Sequence, residues 1–91
     1  MRASLVVDGR EVAAFAEATV DGAELEPPER PGSATATLRG GTLPDWPDGG
    51  RSCFLILYAA TGAPIAKYWL AKARPSGNTV LTCDYIQQMA P

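Results

Sequence analysis

Ninety-one residues with a formal net charge of −2, 46% of them hydrophobic and none of them histidine, make one small domain, or less than one if neighbouring chains complete it. The charge argues against a nucleic-acid binder, which needs a basic stripe to neutralise phosphates. The missing histidine removes Ser-His-Asp and Cys-His catalysis, His-based zinc sites and the usual general base near neutrality.

The chain opens on "ASLVV", and Asp8-Gly9 then signals a tight hairpin. "REVAAFAEATV" runs on to a second Asp-Gly at Asp21-Gly22. Its alanines allow a helix by propensity, but its place between two turn signals favours one long, bent strand. Val12, Ala14, Ala16 and Ala18 then line one face, and Ala13, Phe15, Glu17 and Thr19 the other. Side chains this small imply close approach by a second sheet or another subunit. "AELEPPERPG" reads as an extended surface loop, because Pro27-Pro28 and Pro31-Gly32 suit neither a helix nor a central strand. "SATATLRG" returns to strand periodicity and stops at Gly40-Gly41.

"TLPDWPDGG" is a long connection with Trp46 held between two prolines. "RSCFLILYAA" follows and is apolar on both faces, with Cys53, Leu55 and Leu57 on one and Phe54, Ile56 and Tyr58 on the other. A strand buried on both sides in so short a chain implies a closed barrel, a sandwich or a subunit contact on one face. "TGAP" turns the chain. "IAKYWLAKA" places Ala66, Tyr68 and Leu70 on one face and Lys67 and Trp69 on the other. A turn is expected from Arg74 to Asn78, and "TVLTCDYI" is the last strand, with Leu81, Cys83 and Tyr85 on one face. "QQMAP" reads as a tail. The expectation is an all-β domain over residues 1–91 with six or seven strands, a small barrel or compact β-sandwich of consecutive antiparallel hairpins.

Charge is uneven along the chain. Residues 1–29 carry seven acids and two bases, and residues 30–91 carry six bases and three acids. This gives either two unlike faces suited to head-to-tail assembly or strands that are simply solvated. Cys53 and Cys83 sit among apolar residues and read as reduced core thiols, with pairing open if their strands are neighbours. The longest apolar run, from Cys53 to Ala60, falls far short of the ~20 residues of a membrane helix. The N-terminus lacks a secretory h-region, so synthesis and folding in a cytoplasm are expected.

Candidate chemistry is sparse. Asp45 and Asp48 flank Trp46 in the manner of a glycosidase pair beside a sugar-stacking ring, but aspartate next to Pro and Gly is ordinary turn chemistry. Tyr58, Tyr68, Trp69 and Tyr85, with Lys67 and Lys72, could stack single-stranded bases, against the net charge. "RGG" and "DGGR" lack the Lys-Ser/Thr and the following helix of a phosphate loop. No catalytic, metal or cofactor set is expected. What remains is a domain that contacts other proteins, through Trp46, Trp69, Phe15, Asp45, Asp48 and Lys67 as contact candidates. Trp46 either plugs the end of the barrel or docks on a neighbour, and the reading favours docking.

The opening "LVVDGREVAAFAEATVDG" resembles, in pattern, the openings of small β-rich virion proteins of tailed bacteriophages, such as tail-tube, tail-tip and capsid-decoration subunits. The resemblance covers about a quarter of the chain and transfers no functional residue. It implies a non-enzymatic subunit of a symmetric particle, a tip, baseplate or decoration part given the short chain, and residence in the virion after synthesis in the host cytoplasm. The alternatives are a small soluble module that inhibits a host protein, and a carbohydrate or single-stranded nucleic-acid binder.

Overall fold

The computed structural model describes residues 1–24, 34–46 and 50–89. Within them the protein is all-β, and the sheet does not close into a barrel. Nine strands are present: β1 (Arg2–Val7), β2 (Arg10–Phe15), β3 (Glu17–Asp21), β4 (Ala23–Glu24), β5 (Ala34–Arg39), β6 (Arg51–Tyr58), β7 (Pro64–Ser76), β8 (Val80–Cys83) and β9 (Tyr85–Met89). The expected loop from Pro27 to Gly32, Asp48 and the last two residues lie outside the described residues.

The strands form a sandwich-like pair of layers that share β7. The first layer runs β2-β1-β6-β7-β9-β4, and the second runs β3-β5-β8-β7. Every pairing is antiparallel except the short parallel contact of β4 with β9. Consecutive hairpins account for only part of this order, since β1 pairs β6, β5 pairs β8 and β7 pairs β9. The Asp8-Gly9 hairpin is present as read. Both residues have positive φ, 52° and 77°, which a tight two-residue turn requires.

Three bends shape the strands; two of them, with the short β4, raise the strand count above the expected six or seven. The "REVAAFAEATV" segment breaks at Ala16 into β2, on β1, and β3, on β5. The face therefore switches. Ala13 and Phe15 point to the core before the break, and Ala18 and Val20 after it, so the single face of Val12, Ala14, Ala16 and Ala18 expected of one strand does not form. "TVLTCDYI" breaks at Asp84 in the same way. Leu81 and Cys83 face inward, then Ile86 takes over and Tyr85 turns outward. The supposed tail supplies Gln87–Met89 to β9.

The third bend lies within β7. Arg51 pairs Ala73 while Cys53 pairs Leu70, so β7 carries an extra residue there. Lys72 adopts φ 50° at this point. Before it, residues 67–71 pair with β9; after it, residues 74–76 pair with β8. The turn expected from Arg74 is thus strand as far as Ser76. Pro75 is tolerated because, among the described residues, this end of β7 ladders with β8 alone, so no described hydrogen bond is lost on the other side.

The core lies between the layers. Ala3, Leu5, Cys53, Leu55 and Leu70 from one layer meet Ala36, Leu38, Leu81 and Cys83 from the other, all nearly or completely buried. β6 is not buried on both faces: Cys53, Leu55 and Leu57 are buried, while Phe54, Ile56 and Tyr58 are half-buried on the outside. The close approach implied by the small residues of β2 comes from this chain. Gly40 and Gly41 press on the Ala14–Ala16 bend, where an added methyl at Gly41 would strike the Ala14 carbonyl oxygen and the Phe15 ring.

Gly41→Ala should cost roughly 2–4 kcal/mol through backbone displacement. Gly9→Ala, where no atom lies within contact range, should cost only the left-handed backbone penalty of about 1 kcal/mol. Urea midpoints of the two variants check the difference, and equal shifts would contradict the packing at the bend.

Candidate functional site

The two outer faces of the sandwich differ. On the second layer the alternation leaves Thr19, Thr35, Thr37, Thr82 and Ser76 outward with Val80 among them, Glu17 opposite Arg39, and the Arg74–Asp84 ion pair at 2.9 Å. This is a solvated face. On the first layer the outward residues are apolar and aromatic. In register across β1, β6 and β7 lie Val6, Phe54 and Trp69, then Ser4, Ile56 and Lys67, then Arg2 and Tyr58. Tyr85, Gln87 and Met89 extend the face on β9, with Gln87 opposite Trp69. Most of these side chains are half-buried, and Met89 is exposed.

The rings are fixed against their neighbours. Trp69 and Tyr85 meet edge to face, with centroids 5.4 Å apart and planes at 84°. The Lys67 ammonium lies 4.5 Å from the Phe54 ring centroid, and the Arg2 guanidinium 5.0 Å from that of Tyr58. The one carboxylate on this face with a described contact, Glu11, accepts the hydroxyl hydrogen bond of buried Ser4. Among the described residues no carboxylate lies within ion-pair distance of Arg2 or Lys67. A shallow depression of about 520 Å³, lined by Met1, Arg2, Tyr58 and the turn at residues 59–62, continues the face at one end.

Of the contact candidates, Lys67 and Trp69 fall together on this face. Phe15 does not: it is 1% exposed in the core, because it pairs with the inward-facing Ala3 of β1. Trp46 is half-buried and packs against the core with Leu43, so it plugs the fold where docking was favoured. Its connection leaves the Ala14–Ala16 bend at Gly41 and returns at Gly50, where a methyl would lie 2.6 Å from the Lys72 carbonyl oxygen. The backbone is closely packed at both glycines, and the ring between them folds inward. Its Nε1 is buried with no hydrogen-bond partner among the described residues. Asp45 is exposed beside it. Tyr68 points to the core and so leaves the expected stacking set, and Lys72 stands at the β7 bend.

Tyr58 and Tyr85 of the expected stacking set also lie here, and the face holds four residues not singled out from the sequence as contacts: Val6, Phe54, Ile56 and Arg2. The signal for those on β6 was the second apolar stripe of "RSCFLILY". On β9 the alternation of the sequence places Tyr85 with Leu81 and Cys83, and the break at Asp84 turns it to the outer face.

Cys53 and Cys83 are free and buried, on strands of different layers. Burial, helped by the neighbouring Cys83, pushes the Cys53 thiol up to about 12. Burial also raises Cys83 to about 11, with Arg74 opposing and Asp84 adding to the rise. Neither thiol is an activated nucleophile.

Trp46→Ala should destabilise by about 2–4 kcal/mol and Trp69→Ala by no more than about 1.5, as judged by urea unfolding. The thiols ionise near 9.0 in the unfolded chain and near 12 and 11 in the fold, so they stay protonated in the native state while the unfolded state releases its protons. Their contribution to stability is therefore complete below pH 9 and is lost as pH rises through that window. Unfolding midpoints taken across it should fall, and Cys53→Ala with Cys83→Ala should flatten the fall.

Comparison with protein families, with curated proteins and with solved structures returns no significant match, so function rests on the unlike outer faces of the two layers.

Proposed function

We propose that this chain is a non-enzymatic assembly subunit that works through protein–protein contact, with the outer face of β1, β6, β7 and β9 as its docking surface. The observation that carries the reading is the contrast between the faces. One is threonine-rich and solvated; the other presents Val6, Phe54, Ile56, Tyr58, Trp69 and Tyr85 together. A contiguous apolar patch of this kind on a small domain marks a contact surface. The virion-like opening points to a tailed-phage particle as the assembly, with a tip, baseplate or decoration position. A soluble module that masks a host protein is the second reading, favoured by the same one-sidedness. It would form a one-to-one complex and remain outside particles.

Quantitative mass spectrometry of sedimented particles tests the proposal. The chain should appear at a fixed ratio to a capsid or tail protein. Ile56→Asp should lower incorporation at least about tenfold, the loss expected for a charge forced into an apolar contact, while Thr37→Asp on the other face should leave it unchanged. Recovery only in the soluble fraction, or equal incorporation of both variants, would overturn the assembly reading.

A further inference from the structure

The geometry points to an acidic, extended segment of a partner protein as the occupant of this face; the inference rests on the docking reading above. Arg2 and Lys67 are the cations of the face, and each stands over an aromatic ring with no described carboxylate in ion-pair range. A cation seated on a ring still presents its solvent side to an anion, and the apolar surroundings strengthen that pairing. Arg2 lies opposite Tyr58 and Lys67 opposite Ile56, which places them about 12 Å apart on a diagonal by strand spacing. Two acids four residues apart in an extended segment span about 13 Å on one side. The residue midway between them points the same way and would rest between Ile56 and Tyr58. The recognised pattern is acid, any, apolar, any, acid.

Nucleic acid fits less well. Base stacking needs free ring faces. The faces of Phe54 and Tyr58 are occupied by Lys67 and Arg2, and Trp69 and Tyr85 stand edge to face with each other. The net charge of −2 opposes phosphate as well.

The test is titration of the full chain with an acetylated, amidated peptide, Glu-Thr-Leu-Thr-Glu-Thr-Leu-Thr-Glu, followed by amide and indole NMR shifts. Saturable shifts should map to β1, β6, β7 and the Trp69 indole, and should weaken as salt rises. Binding should fall about tenfold with Lys67→Gln, the size of one charge-assisted contact. Lys67→Glu with Arg2→Glu should lose the acidic peptide and gain its lysine counterpart; amide spectra of both variants report whether they fold. Several results would overturn the inference. These are absent shifts, equal binding of the lysine peptide by the unaltered chain, binding of oligothymidylate through the same residues, or concentration-dependent self-association abolished by Lys67→Glu. If the peptide fails while the chain still enters particles through Ile56, the acidic occupant falls and the assembly reading stands. If the peptide binds and particles lack the chain, the reverse holds.

Discussion

The fold depends on one strand serving two layers. β7 ladders with β6 and β9 along most of its length and with β8 at its end, and the change of partner happens at Lys72. A lysine at φ 50° carries a backbone cost of roughly 1–2 kcal/mol. Its surroundings hold it there. Gly50 backs onto the Lys72 carbonyl with no room for a side chain, and the Asp84 N–H donates to the Ala71 carbonyl oxygen at 2.9 Å. The Arg74–Asp84 pair ties the two bent segments together just beyond. Without this bend Leu38, Leu81 and Cys83 would lie beside Leu55 and Leu70 in one open sheet, and the core between the layers would not exist.

The other bends follow from this one. The β8–β9 segment must break at Asp84 to follow β7 from one layer to the other, and the β2–β3 segment breaks at Ala16 at the opposite edge. Each break shifts the inward parity by one residue, a local event with a large consequence, since every later side chain in the segment changes face. That is why Ala18 and Val20 face the core after Ala16, and why Tyr85 is surface. It also explains the small residues near Ala14 and Ala16: Gly40 and Gly41 cross the bend at a distance that larger side chains would prohibit.

Much of the architecture was legible in the sequence. Alternation in "SATATLRG" and "IAKYWLAKA", the Asp8-Gly9 turn and the doubly apolar "RSCFLILY" identify strands and faces that the structure contains. The bends were not legible, because Ala16, Lys72 and Asp84 are neither glycine nor proline and carry no local break signal. Only the pairing of distant strands creates them. The candidate site was legible in the same measure. Lys67 and Trp69 alternate outward on an unbroken part of β7 and could be placed. Trp46 could not, because a rigid proline frame serves a plug and an arm equally well, and what decides between them is where Gly41 and Gly50 are anchored.

The outward row of Thr19, Thr35, Thr37 and Thr82 has a consequence for growth. A subunit with adhesive patches on both sides can stack without limit. Here one side offers hydroxyls and a balanced set of charges that water satisfies as well as any protein would. A copy that lands by its aromatic side therefore leaves a wetted back on which the next copy finds no purchase. If the assembly role proposed above holds, such a tile finishes a surface and does not extend it, and the structure it joins acquires a defined outside.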